Sequence, residues 1–192
     1  MLWLALAAQL AAPQASTPHL KSLMNPGDVP VDLVTPNKVQ TVAFALTIDP
    51  AGVVRGCTIE ASSGSSKLDS YTCNLVRRRA KFQPSTSYSV SRTHLDWWVG
   101  DGYPPKSVYA DLALTVAALP TGLQSPVFVI LKFTVDQSGK ISNCAGDANS
   151  PASLVPTACE QLEQSFRPQP VRATDGNLVA SQQDATVMFS TK

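Results

Sequence analysis

The chain has little charge, few histidines and no long apolar run. Lys and Arg supply 15 of its 192 residues, Asp and Glu 14, for a net charge of +1. With 15% charged residues there is no basic footprint for nucleic acid, so no nucleic-acid partner is expected. No stretch reaches the roughly 18 apolar residues of an ordinary membrane-spanning helix. There are two histidines, His19 and His94. His19 reads as a solvated residue of a polar lead. His94 has only Asp96 nearby, with no nucleophile beside it. A G-x-S-x-G turn, a P-loop, a G-x-G-x-x-G and an H-E-x-x-H are all missing. The chain is therefore expected to be no enzyme, with no cofactor, no metal and no small-molecule substrate.

What is present is a repeat. Asp49-Pro-Ala-Gly52 returns as Asp136-Gln-Ser-Gly139. A cysteine follows each glycine at the same distance, Cys57 and Cys144, and a second one follows later, Cys73 and Cys159. Each unit closes on Phe-x-Pro, at Phe82-Gln-Pro84 and Phe166-Arg-Pro168. So many matches in one order indicate two copies of one building block.

Four cysteines, one pair per copy, allow three connectivities. The repeat favours Cys57–Cys73 and Cys144–Cys159. Metal-type spacing would place cysteines two to four residues apart with further ligands, and none is so placed. A disulfide closing a loop of this size contributes on the order of 3 kcal/mol in the chain-entropy model. In units of under about 90 residues with thin cores, that term matters.

Thr41 to Asp49 alternates apolar and small residues, with Val42, Phe44, Leu46 and Ile48 on one face, which predicts a strand. Pro50-Ala-Gly52 supplies turn chemistry. The return strand over 53–61 places Cys57 and Ile59 on the core face. Val54 is out of phase with them, so a bulge is expected near Gly56. Ser66-Lys-Leu-Asp69 looks close to a capping box. Leu68, Thr72, Leu75, Val76 and Ala80 then form one helical stripe, with Cys73 at its edge. Arg77, Arg78, Arg79 and Lys81 point different ways around a helix and sit where they complement its dipole. They read as a solvated helix end. A third strand is expected over Tyr88–Val99, with Trp97 and Trp98 on opposite faces. One indole suits the core, and the other is a candidate binding feature on an edge.

In the second copy, Val127 to Val135 is a continuous apolar run, which predicts burial on both faces. Its helix is expected over 156–166, with Pro156 in the first turn, and its closing strand over 185–189. Another strand is expected over 108–117. Residues 1–16, MLWLALAAQLAAPQAS, read as a signal peptide, with an uncleaved anchor or a start codon assigned too late as alternatives. Residues 17–38, with four prolines, form an irregular lead-in, and 100–107 a short linker.

Ile48-Asp49-Pro-Ala-Gly52, Val53-Val54, Ser62-Ser63-Gly64, Leu68-Asp69 and the Arg77–Pro84 run resemble the C-terminal domain of the TonB energy-transducer family. The second copy keeps Phe133-Thr-Val-Asp136, Gly139-Lys-Ile141 and Phe166-Arg-Pro168, but lacks the Ser-Ser-Gly and Leu-Asp pairs. The resemblance implies an α+β fold of two tandem small two-layer domains, 39–99 and 108–192. Each is a short antiparallel sheet with one packed helix (ββαβ), stapled by one disulfide. It implies a periplasmic protein that binds a protein partner in the envelope by strand addition, with a TonB-dependent outer-membrane receptor as the implied partner. The edge expected to serve is that of Tyr88, Val90, Arg92, Trp97 and Trp98, with 185–189 as its counterpart. The lead of only about 25 residues is too short to cross a periplasm, so the alternative is a disulfide-stapled interaction protein of the envelope with no transducing role.

Overall fold

A computed structural model describes residues 25–101 and 109–192. The expected signal peptide, His19 and most of the expected linker lie outside the described residues. The elements run β1 (Gln40–Ile48), β2 (Val54–Ala61), α1 (Ser66–Arg79), β3 (Tyr88–Trp97), β4 (Leu112–Val116), β5 (Val127–Val135), β6 (Ile141–Gly146), α2 (Val155–Ser165), β7 (Val171–Arg172), β8 (Leu178–Val179) and β9 (Ser181–Thr191). Strand, strand, helix, strand thus occurs twice, as β1-β2-α1-β3 and β5-β6-α2-β9. The β7–β8 hairpin is inserted in the second run.

Local chemistry accounts for each element. Asp49 turns the first hairpin by accepting from the Val53 N–H at 2.9 Å. Gly52 sits at φ +80°, and a Cβ there would drive into the Phe82 carbonyl. The turn glycine and the Phe-x-Pro exit therefore belong to one contact, which is why the sequence keeps them together. The expected bulge is present: Thr47 pairs with Gly56 and Ile48 with Val54, leaving Arg55 as the extra residue. That shift brings Val54 into the core. The α1 cap is Ser65, one residue earlier than the sequence suggested, accepting from the Leu68 N–H. Asp69 instead ties down the preceding loop, accepting from the hydroxyls of Ser62 (2.6 Å) and Ser63 (2.7 Å) and from the Ser63 N–H.

Two expectations need correction. Val127–Val135 is buried on one face only: residues 127, 129, 131, 133 and 135 are buried, while Phe128 and Ile130 are 37% and 41% exposed. The halves also do not keep separate antiparallel sheets. One sheet runs β2-β1-β3-β9-β5-β6, with β4 pairing to β9 farther along. The seam is parallel, with Tyr88, Ser89 and Val90 paired to Ser181, Gln182 and Gln183. Beyond it β4 takes over, from Leu112 opposite Val187 to Val116 opposite Thr191.

Parallel pairing of equivalent third strands has a geometric consequence. Half a turn about an axis along the strands relates them, so the halves present opposite faces. On β3, Leu95 and Trp97 pack in the α1 core, and Val90 points the other way. Val90 is in register with Gln183, which opposes Phe133 of the α2 core. The two helices therefore cover opposite faces of the sheet. The first half's back, Ala45 and Val90, is covered by Val171 and Val179 of the β7–β8 hairpin.

Candidate functional site

Both expected disulfides are formed. Cys57–Cys73 and Cys144–Cys159 each join the second strand of a half to its helix, with Cα atoms 5.7 and 5.8 Å apart. No cysteine is free.

The five residues expected at a binding edge are spent on packing and on the seam. Tyr88 stands beside the hairpin, its hydroxyl accepting from the Thr174 N–H at 3.3 Å. Val90 is buried with Ala45 and Val171. Trp97 is 1% exposed, and its indole N–H donates to Thr72 Oγ1 at 2.9 Å. Trp98 is half-buried against Gly100, and its Nε1 has no hydrogen-bond partner among the described residues. The physical reason is the topology: β3 lies between β1 and β9 at Tyr88–Val90, its later residues turn their side chains to the core or the seam, and β9 lies between β5 and the β3–β4 line. The 185–189 stretch is likewise interior.

Arg92 is the centre of the seam, with a side chain 5% exposed. Its backbone N–H donates to Asp184 Oδ1 at 2.6 Å. Its guanidinium donates to Glu60 Oε1 (3.0 Å), Gln183 Oε1 (3.0 Å) and the Asp184 carbonyl (2.9 Å). It also lies 4.9 Å from the Phe166 ring centroid. Ser91 Oγ donates to Asp184 Oδ2 at 3.2 Å. Where β3 pairing ends and β4 pairing begins, Asp111 fills in: its N–H donates to the Thr186 carbonyl, and its Oδ2 accepts from the Thr186 N–H at 2.6 Å. Side-chain carboxylates thus replace the missing rungs of the ladder.

Three acids crowd this one cation. Burial pushes the Asp184 carboxyl up to about 6, against the Arg92 N–H and charge that favour its ionised form. Burial likewise raises Glu60 and Asp111, again opposed by Arg92. Elsewhere the carboxylates are held down. At Asp49 burial opposes ionisation, but the Val53 N–H and Arg55 outweigh it. The Arg79 guanidinium, donating to Asp28 Oδ1 at 2.7 Å and also to Oδ2, holds the Asp28 carboxyl below its ordinary value. Arg79 of the basic run is thereby paired, while Arg77 and Arg78 are exposed.

Sequence reasoning did not single out Glu60, Asp111 or Asp184. One signal was available. With Asp49 set on Asp136 and the strand pairings matched, Arg92 falls on Asp184, so equivalent positions of opposite charge meet at the seam. The hairpin was also missed, though Thr174-Asp-Gly-Asn177 is turn chemistry.

Among the described residues the strands with a single partner are β2 and β6, at the ends of the sheet, and β4, which pairs only with β9. A cavity of about 320 Å³ lies over the back of β2, between Arg55, Gly56 and Thr58 and a wall of Gln169–Arg172 from the second half. Among the described residues there is no group of three or more metal-ligating side chains, and no helix long and apolar enough to cross a membrane.

Residues 37–94 match the family described as Gram-negative bacterial TonB protein C-terminal. The match takes in β1, β2, α1 and β3 as far as His94. No curated protein and no solved structure matches. The likeness of this segment to that family suggests a TonB-like role in envelope transport.

Proposed function

We propose that this is a periplasmic, non-enzymatic TonB-like protein that binds an extended segment of an envelope partner by strand addition. An outer-membrane TonB-dependent receptor is the partner class. The observation that carries this reading is the family match over residues 37–94. We further read the second half as a divergent copy of the same unit. The repeated element order, the equivalent disulfides and the matched turn aspartates support that reading. Exposed main-chain groups at a sheet end would supply affinity, and neighbouring side chains specificity.

A second reading is favoured by a specific observation. The third-strand edges of the two halves are paired with each other. That suits a disulfide-stapled interaction protein of the envelope that transmits no force. An NMR titration of the oxidised chain with a receptor-derived extended peptide separates the two. Amide shifts running along a sheet end support strand addition. Unchanged spectra at millimolar peptide favour the interaction protein.

A further inference from the structure

We infer that the outer edge of β2, with the groove behind it, takes an extended acidic polypeptide segment as an added strand. This rests on the strand-addition reading above and names its site and the chemistry of its occupant.

Among the described residues the pairing leaves three strands with a single partner, β2, β6 and β4, and β4 has only the five residues Leu112–Val116. β6 has six residues and carries Asn143 at φ +53°, a left-handed break in mid-strand at which an added strand would lose its register, whereas β2, with two register shifts against β1, holds no left-handed residue. β2 has eight residues and no proline. Its outward groups follow from alternation. The Arg92 N–H faces β9, so Ser91, Thr93 and Leu95 face β1, where they occupy Leu46, Phe44 and Val42. Ala43, Ala45 and Thr47 are left to serve β2, through Ala61, Thr58 and Gly56. The backbone groups of Cys57 and Ile59 therefore point outward, away from the sheet. The disulfide to Cys73 holds this edge against α1, so little ordering is left for binding to supply.

The groove sets the chemistry. Its floor is small: Ala45, Thr47, Gly56 and Thr58. Its cations are Arg172, exposed, and Arg55, 52% exposed and ion-paired with Asp49 at 2.6 Å, so Arg172 carries the positive charge left for a ligand. Its one acid, Glu60, is engaged by Arg92. Alternate side chains of an added strand would enter this groove, and a carboxylate among them would meet positive charge.

The test is an NMR titration of the oxidised full chain with a ten-residue peptide alternating Thr and Val around one central Glu. Shifts are expected along Val54–Ala61 and at Arg172. Arg172→Glu, remote from the β2 backbone, and Ile59→Pro, which removes an outward N–H, should each raise Kd at least about tenfold, and so should Glu-to-Lys in the peptide. Arg172→Glu keeps the test valid where the proline variant does not fold. Shifts along Ile141–Gly146 or Leu112–Val116 with β2 silent would overturn the assignment of β2 and leave strand addition standing. No shift at any edge at millimolar peptide would overturn both.

Discussion

The two halves solve the same packing problem with different residues. In the first, Trp97 reaches across the core to Thr72 with a hydrogen bond. At the matching places the second half has Phe189 and Ala158, both fully buried. A polar pair in one half stands where the other has an apolar pair, and exchanging either member alone would strand a buried polar atom or leave a void. The backs differ in the same way. Ala43, Ala45 and Thr47 are small, and the hairpin residues Val171 and Val179 close over Ala45. Ile130, Lys132 and Thr134 stand at the equivalent places, and there Ile130 faces solvent.

The turn glycines should break the comparison most sharply. Gly52→Ala meets both a left-handed φ and the Phe82 carbonyl, whereas at Gly139 the nearest atoms stand 3.6 Å or more away. We expect Gly52→Ala to cost about 2–5 kcal/mol from left-handed strain plus overpacking, and Gly139→Ala only about 1–2. Urea unfolding of the two variants measures the gap, and equal losses would refute it. The disulfides should behave alike. They close loops of 16 and 15 residues, so Cys57→Ala/Cys73→Ala and Cys144→Ala/Cys159→Ala should each lose about 3 kcal/mol.

Next is the polar pair. Thr72→Ala should cost about 1–3 kcal/mol by stranding the Trp97 indole N–H. Adding Trp97→Phe, which installs the second half's solution, should recover part of that loss in a double-mutant cycle. Additive losses would show that the two residues are not a unit.

The smallest effect expected is at the seam, and it depends on pH. The Asp184 carboxyl is raised to about 6, so the folded chain binds this proton more tightly than the unfolded one. Its contribution is therefore fully present at low pH and is lost as pH rises through about 6. Glu60 and Asp111 act in the same direction. Asp49, Asp69 and Asp136 are lowered, so their contributions fade only as pH falls below the ordinary carboxylate range. Stability should decline on the order of 1 kcal/mol between about pH 5 and pH 7 through Asp184 alone. Asp184→Asn, which keeps an acceptor for the Arg92 N–H, should flatten that decline in chemical-denaturation curves.

Much of each half was legible because it rests on short-range signals. The α1 stripe, the turn glycines, the bulge beside Gly56 and the cysteine pairing are fixed by spacing within about 40 residues. The cap was misplaced by one residue because Ser65 and Ser66 offer the same hydroxyl. The seam was not legible. It joins Arg92 to Asp184, far apart in sequence, and nothing local marks either as buried. Nor could periodicity foresee Phe128 and Ile130 outside the core, since apolar residues on both faces of β5 read as burial on both. The same long-range event moved the candidate site. With β3 interior, Tyr88, Val90, Arg92 and Trp97 became structural, and β2 was left as the sheet's longer end.

The parallel seam also bears on how this protein responds to dilution. Third-strand edges that meet between separate molecules part when concentration falls. Here both edges are carried on one chain, so their encounter is set by tether length and is the same at nanomolar as at millimolar protein. A competing strand must displace a neighbour that never diffuses away, which makes the joined edges poor templates for uncontrolled aggregation.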